Sequence, residues 1–337
     1  MSQRATARVS LADMMGMKAE GEGNNVDVFN QPKCTVCNII ETDGRKLLTC
    51  TRCKKTRYCS KNCQADNWGT HKSTCKAQNY ILKISLCPTE ITNPSVNRTL
   101  SCPSTATFEQ LHRALQIAFG WAGTQTYDFK ILDPNAQQPE PQPDMIAYVT
   151  RRLAALEAAQ SSDSLMPDAG PRQNLLRIIE KGAFRPGEFD MGSGKKVDAM
   201  HNSERVHSQT PEIDSKKIKL GKVLENKEYE GAELQYEYDF GDCWQHTIQV
   251  VGRMEASKGF LCFDGEGHGV AEDAGSVPGW LELREAYRTA NPTTEQMEKR
   301  TWFETMASNN DPRGLGNGSE WYWDGPAAVS AKLRRDL

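Results

Sequence analysis

The sequence predicts an α+β protein in which a small cysteine-rich module precedes a larger domain with a mostly antiparallel sheet. Three observations support this. Seven cysteines and one histidine cluster between residues 34 and 75 at short spacings. Beyond them, strand-like and helix-like segments mix with local hairpins and without a βαβ series. Between about residues 134 and 218 the periodicity breaks down, which indicates a long, partly helical and partly disordered insertion.

Residues 1–32 are polar, carry several glycines and asparagines, and show little apolar periodicity, so they are predicted to be a disordered lead-in. They lack the apolar core of a secretory signal, and no run in the chain approaches the length of a membrane span. We therefore expect an intracellular protein, nuclear or cytoplasmic, that is neither secreted nor membrane-bound.

The cysteine-rich segment, residues 33–76, has the spacing of a paired zinc site: two C-x-x-C pairs, one C-x-x-x-C and one H-x-x-x-C. Zinc takes four such ligands in a tetrahedron, so eight ligands make two closed sites with no position left for a reacting water. The ions are therefore predicted to be structural. The candidate ligands are Cys34, Cys37, Cys50, Cys53, Cys59, Cys63, His71 and Cys75.

A disulfide framework is the alternative, because the chain has eleven cysteines. The odd count, the missing signal and a chain long enough to bury a core all disfavour it. The four remaining cysteines are scattered singly and are predicted to be buried thiols. They are Cys87, Cys102, Cys243 and Cys262.

The stretch TCTRCKKTRYCSKNCQADNWGTHKSTC resembles the MYND-type zinc finger, which has Tyr-Cys-Ser, then Cys-Gln, then Trp followed by His-Lys. One departure is Asn67, where the family usually has an acidic residue before the tryptophan. The resemblance implies that the ligands interleave. One ion would then be held by Cys34, Cys37, Cys59 and Cys63, and the other by Cys50, Cys53, His71 and Cys75.

The resemblance also implies that the finger recognises a protein partner, such as a proline-rich peptide, in transcriptional or chromatin-linked regulation. The candidate contact residues are Arg57, Tyr58, Gln64 and Trp68. Residues 33–76 carry ten Lys and Arg against three Asp and Glu. The resulting charge, about +4 after seven thiolates and two zinc ions are counted, leaves nucleic-acid binding as an alternative. The absence of a recognition helix disfavours that alternative.

In the larger domain, residues 79–337, alternation over residues 80–86 predicts a strand that ends before Pro88. Ser104 or Thr105 is predicted to cap a helix that Gly120 ends, and residues 126–132 form a second strand. Within the insertion, helices are predicted near residues 145–159 and 172–181. A short helix, a hairpin across residues 234–250, an acidic glycine-rich loop and two or three helices complete the chain.

The segment YEYDFGDCWQHTI, the strand over residues 80–86 and the helix TFEQLHRALQIAFGW resemble the Ri-plasmid ORF-three-like family, also grouped with transposon passenger proteins labelled resolvase-like. This chain has Val270 and Ala271 where the family usually has Pro-Pro, and its insertion is unusually long. The resemblance implies a fold and no particular chemistry.

Four residues of that segment are candidates for a second-domain pocket: Asp239, Asp242, Trp244 and His246. With Glu272 and Asp273 they suggest an acid/base or metal-dependent enzyme site. The favoured interpretation is structural, because aspartates flanking a glycine commonly bind turn backbone and a histidine on a strand is usually packed. We therefore expect no enzyme. A methyltransferase is disfavoured further because only a short polar segment precedes Cys34.

Overall fold

The computed structural model describes residues 31–88, 91–136, 173–180 and 209–337. The chain divides into two compact units, residues 1–75 and 76–337. The predicted helix near residues 145–159 and nearly all of the predicted disordered segment over residues 1–32 lie outside the described residues. No helix among the described residues is both long and apolar enough to cross a membrane.

The first unit is a two-stranded hairpin followed by a helix. Its elements are β1 (Leu48–Thr49), β2 (Arg57–Tyr58) and α1 (Lys61–Thr74). Its small core consists of Tyr58, Leu47 and ligand cysteines, so apolar side chains contribute little to it. A segment with so small a core depends on metal for its stability.

In the second unit, eight strands of the described residues form one sheet in the order β10-β4-β3-β9-β8-β5-β6-β7. Neighbours are antiparallel except β6 and β7, which are parallel. This confirms the predicted α+β class with a mostly antiparallel sheet. The strands are β3 (Asn79–Leu86), β4 (Asn97–Cys102), β5 (Tyr127–Leu132), β6 (Asn174–Ile179), β7 (Glu212–Asp214), β8 (Leu234–Tyr238), β9 (Trp244–Met254) and β10 (Leu261–Glu266).

Helix α2 (Phe108–Phe119) packs its apolar stripe on the sheet, where the rings of Phe108 and Phe129 lie 5.0 Å apart, edge to face. It begins at a capping box formed by Thr107 and Gln110, so the predicted cap at Ser104 or Thr105 is wrong by two or three residues. Gly120 ends it in the left-handed conformation, as predicted. The helices are α2 (Phe108–Phe119), α3 (Leu220–Leu224), α4 (Ser276–Arg288), α5 (Thr294–Thr305) and α6 (Gly325–Asp336).

The predicted helix over residues 172–181 is wrong, because this segment contains strand β6. Leu176 and Ile178 are buried in the core, whereas Arg177 lies between them in sequence and binds the Asp128 carboxylate at 2.7 Å. This alternation is the period of a strand. Strands β6 and β7 therefore belong to the sheet, although the predicted insertion over residues 134–218 contains them.

The predicted hairpin is confirmed, with Tyr236 opposite His246 and Tyr238 opposite Trp244. Strands β4 and β10 were not predicted. Strand β4 reads NRTLSC and lies between β3 and β10, where Arg98, Thr99 and Ser101 are all buried. Because β4 is largely polar, its sequence shows no apolar pattern that would predict a buried strand.

Candidate metal centre

The first ligand cluster consists of Cys34, Cys37, Cys59 and Cys63, whose sulfur atoms all lie within 4.8 Å of one another. The Sγ atoms of Cys37 and Cys59 are 3.3 Å apart, and those of Cys59 and Cys63 are 3.5 Å apart. Burial raises the pKa of the Cys34 thiol, but hydrogen bonds from the backbone of Cys37 and Cys59 outweigh burial and lower it to about 6. The loop is therefore arranged to hold a thiolate.

The second cluster consists of Cys50, Cys53, His71 and Cys75, and all four residues are buried. The Sγ atoms of Cys50 and Cys75 are 3.7 Å apart, and Nε2 of His71 lies 3.5 Å from Sγ of Cys53. This places Nε2 among the sulfur atoms. The interleaved pairing implied by the family resemblance is thus the arrangement found.

Both clusters fit zinc. A tetrahedral ion with Zn–S bonds of about 2.3 Å separates its sulfur ligands by about 3.8 Å. The separations between sulfur atoms within the clusters, from 3.3 to 4.0 Å, bracket that value. Four sulfurs in one cluster and three sulfurs with an imidazole in the other are donor sets of structural zinc. The protein therefore carries a centre for two zinc ions.

Helix α1 supplies a ligand to each ion. Its N-cap Ser60 accepts a hydrogen bond from the backbone N–H of Cys63, which orients the first turn toward the first cluster. Two turns later His71 enters the second cluster, and the chain leaves the helix at Cys75. The part of α1 between Cys63 and His71 is therefore held at both ends by metal.

Thr56 is a functional residue that the sequence analysis missed. Its Oγ1 lies 3.5 Å from Nδ1 of His71 and 3.5 Å from Sγ of Cys53. Because Nε2 faces the cluster, Nδ1 carries the imidazole proton. This N–H donates a hydrogen bond to Oγ1 of Thr56, which holds the ring in its ligating orientation. The only sequence signal is a hydroxyl residue three positions after a ligand cysteine.

Asn67 replaces the usual acidic residue without leaving a buried polar group unsatisfied. The Tyr58 hydroxyl donates to Oδ1 of Asn67 at 2.9 Å, and the Tyr58 side chain is fully buried. A buried side chain cannot contact a partner directly, so Tyr58 does not belong to the predicted contact surface. Its role is to connect β2 to α1.

The other predicted contact residues lie at the surface. Trp68 is 37% exposed, and its ring packs edge-on against His71 with centroids 6.1 Å apart. Gln64 is half-buried one turn earlier on the same helix. Arg57 is exposed and donates to the carboxylate of Glu41 at 2.8 Å.

The predicted second-domain pocket residues do not converge on one site. His246 is fully buried between the rings of Phe119 and Tyr236, and its Nδ1 lies 3.1 Å from the backbone oxygen of Trp244. Since a carbonyl only accepts, Nδ1 carries the proton. Burial lowers the pKa of His246 to about 4, so the ring is neutral at pH 7.

Trp244 is fully buried and packs against Trp121, with ring centroids 5.8 Å apart. Asp239 caps the hairpin turn, where its Oδ1 accepts from the N–H of Gly241, and Asp242 accepts from the N–H of Gly275. Among the described residues, the groups of three or more candidate metal ligands are the two finger clusters. The segment YEYDFGDCWQHTI therefore forms core and turn, as the structural interpretation predicted.

Glu272 is a buried carboxylate that fastens the loop after α2. It accepts from the N–H of Ala122, the hydroxyl of Tyr238 at 3.2 Å and the hydroxyl of Thr124 at 3.4 Å. Its own N–H donates to Oδ1 of Asn309 at 2.7 Å. Burial raises its pKa above the usual range, because hydrogen bonding offsets only part of the lost hydration.

We expect Glu272→Gln to change how stability depends on pH. Between the unfolded and the raised folded pKa, the native wild type binds more protons than its unfolded chain, so its free energy of unfolding falls as pH rises through that window. The variant lacks this term. Urea unfolding over about pH 4 to 8 measures the wild-type minus variant difference, which should decrease with rising pH. Exposed Glu282→Gln is the control, and a pH-independent difference would contradict the assignment.

Comparison with known proteins agrees with both parts of the architecture. The model for the plasmid pRiA4b ORF-3-like protein family matches residues 78–313, well over half of the chain. The model for the MYND finger matches residues 34–75. The two family regions follow one another along the chain, as the sequence analysis expected.

Relatives match separate parts of the chain. Tudor domain-containing protein 1 of Danio rerio is 38% identical over 69 residues, which cover 18% of this chain and 6% of that relative. Protein y4hQ of Sinorhizobium fredii (strain NBRC 101917 / NGR234) is 23% identical over 217 residues, covering 64% of this chain and 75% of the relative. The crystal structure of MM3350 from Methanosarcina mazei Go1 superposes with a TM-score of 0.44 at 21% identity, covering 75% of this chain and 98% of that chain.

The chain spans only a small fraction of the Danio rerio relative, and the match there concerns a short segment. The longer family match spans most of the second unit, including the hairpin and the helix that packs on it. The chain therefore belongs to the plasmid pRiA4b ORF-3-like protein family and carries a MYND finger in front of the family domain.

Proposed function

We propose that the protein is a zinc-dependent adaptor, without catalytic activity of its own, whose finger binds short proline-rich peptide segments. Transcriptional or chromatin-linked regulation in the nucleus or cytoplasm is the setting we propose for it. The observation that carries the proposal is the pair Gln64 and Trp68, presented on the part of α1 that both metal clusters hold.

Tryptophan suits this role because its flat apolar face packs well against proline rings in an extended peptide. Trp68 is partly exposed, yet its edge rests on the ligand His71, so the ring is oriented before any partner arrives. Gln64, one turn away, offers an amide that can hydrogen-bond a peptide carbonyl. An oriented aromatic residue loses little side-chain freedom on binding, which is typical of interface hot spots.

The basic character of the finger supports a preference for acidic residues flanking the proline-rich core. Exposed cations on or near β2 include Arg52, Lys54, Lys55 and Lys61. Such charges increase association rates and make them dependent on salt. We assign the affinity for the peptide, in contrast, to Trp68.

Trp68→Ala is expected to weaken peptide binding by about 30-fold, the loss typical of a hot-spot tryptophan. The measurement is fluorescence anisotropy of fluorescein-labelled proline-rich peptides, selected from a peptide library with the full-length wild type. Lys72→Ala, an exposed position on the same helix, is the matched control. Zinc content of each variant shows that the finger remains loaded. Equal affinity of wild type and Trp68→Ala would remove the tryptophan from the contact surface.

Nucleic-acid binding by the same basic surface is the alternative. The exposed cations of the finger favour it. Phosphate contacts weaken steeply with salt, so a gel shift at low and moderate salt separates the two functions. Retardation that survives Trp68→Ala but is lost when Lys54 and Lys55 become glutamine supports the alternative. Absence of any shift at low salt excludes it.

A further inference from the structure

We infer that a cavity in the second unit binds a small organic carboxylate. The cavity, called here the Arg98 cavity, has a volume of about 320 Å³. Its lining includes Arg98, residues 117–120, 309–311 and 322–324, Arg313 and two residues of α6. This volume lies at the lower end of the range for small-molecule sites, about 300–1,000 Å³.

Arg98 is the unusual feature of this cavity, because its side chain is almost completely buried. Its guanidinium lies between two aromatic rings, 5.1 Å from the centre of Phe119 and 4.7 Å from that of Trp323. Burial lowers the pKa of Arg98 to about 10, so it remains charged at neutral pH. The fold thus keeps the positive charge of Arg98 buried beside two aromatic rings.

The other charges of the cavity are already compensated. Arg313 is paired with Asp311 at 2.6 Å, and Lys332 is paired with Asp324. Over the described ranges, Arg98 has no carboxylate within ion-pair distance. Its hydrogen bonds go to backbone carbonyls, and the nearby carboxylate of Asp324 is engaged by Lys332. A buried charge without a counter-charge is costly, and an anion in the adjoining cavity removes that cost.

The hydrogen bonds of Arg98 leave room for such an anion. Nε donates to the carbonyl of Ala118, Nη1 to those of Asn97 and Glu266, and Nη2 to that of Gly267. These bonds use four of the five N–H groups of a guanidinium. One N–H on Nη2 is left to meet a carboxylate oxygen.

The walls indicate the rest of the ligand. Most of the lining is polar, and Ile117, Ala118 and Val329 add a smaller apolar part in addition to the ring of Trp323. His268 is already engaged, since its two ring nitrogens face the carbonyl of Gly269 and the carboxylate of Asp311. The ligand class is therefore a small organic carboxylate, whose negative charge complements the buried positive charge of Arg98.

The test is a titration of the full-length protein with benzoate and phenylacetate, using benzamide and phenylacetamide as uncharged isosteres. Two-dimensional NMR follows the Nε–H of Arg98 and the indole N–H of Trp323. Saturable shifts of both resonances with the carboxylates, and none with the amides, are expected. No saturable shift with either carboxylate, or equal shifts with the matching amide, would overturn the inference.

Two surface variants make the test independent of folding. Lys332→Gln removes a positive charge from the rim and should weaken carboxylate binding about fivefold, whereas Asp324→Asn removes a negative charge and should tighten it by about the same factor. Asp324 makes no side-chain cap bond to α6, so its replacement does not remove a cap. Lys299→Gln and Glu282→Gln, an exposed pair outside the cavity, are the matched controls. Affinities unchanged in both rim variants would contradict an electrostatic site.

Discussion

Replacing Cys53 with serine is expected to remove one zinc ion and unfold the finger. The second cluster would keep three ligands and gain a hydroxyl, which is a much poorer zinc ligand than a thiolate. Structural zinc contributes about 10–16 kcal/mol to the folding of such modules. The finger core around Tyr58 is too small to replace that energy. Metal analysis should therefore fall from two zinc per chain to one or none.

The control is Cys87→Ser, which removes a thiol from the second unit and leaves both clusters intact. It should retain two zinc ions. The thermal transition of the larger domain should be nearly unchanged in Cys53→Ser, because the two units bury separate cores. Two zinc ions in Cys53→Ser would refute the ligand assignment, and joint loss of both transitions would show one cooperative unit.

Trp244→Ala is expected to destabilise the larger domain by about 3–5 kcal/mol, the usual cost of removing a buried tryptophan. Its ring is fully buried against Trp121 at the start of β9, so the substitution opens a cavity in the middle of the core. Urea unfolding followed by far-ultraviolet circular dichroism measures the loss. Zinc content should remain at two per chain, because the ligand clusters lie in the other unit.

Trp244→Phe should recover much of that stability because it keeps an aromatic ring in the same space. Trp68→Ala is the matched tryptophan control, since it lies on the finger and is partly exposed. The average point substitution lowers the free energy of unfolding by about 1 kcal/mol. A smaller loss for Trp244→Ala would mean that the segment YEYDFGDCWQHTI does not organise the core.

The finger was predicted almost completely from the sequence because its structure depends on short ligand spacings and on the residue types that zinc binds. Two ligands three or four residues apart are brought together by a turn, and zinc selects cysteine and histidine. All eight ligands were therefore found from their spacing, whereas their division into two interleaved sets came from the family resemblance. Tyr58 was misplaced at the surface because its burial depends on Asn67 and on the path of α1, which spacing does not reveal.

In the larger domain, elements with a periodic apolar pattern were predicted correctly. Elements whose burial depends on contacts with distant segments were not. The amphipathic helix α2 and the alternating hairpin were found from their own residues. Strand β6 was predicted as a helix because its short apolar run shows no alternation in the sequence alone. The alternation appears in the fold, where Leu176 and Ile178 enter the core and Arg177 binds Asp128 on the opposite face of the sheet. Strand β4 was missed because its polar side chains are buried only in the assembled sheet, where it lies between β3 and β10.

The sequence by itself determined the two-part organisation, the eight zinc ligands and the structural character of the metal, because each depends on residue type and short spacing. Tertiary structure alone decided which polar residues are buried, and with what partners. It paired the buried Arg177 with Asp128, enclosed the Tyr58 hydroxyl against Asn67 and placed Arg98 beside a cavity. The physical reason is that burial and charge balance are set by segments far apart in the chain, and these meet only when the sheet is assembled.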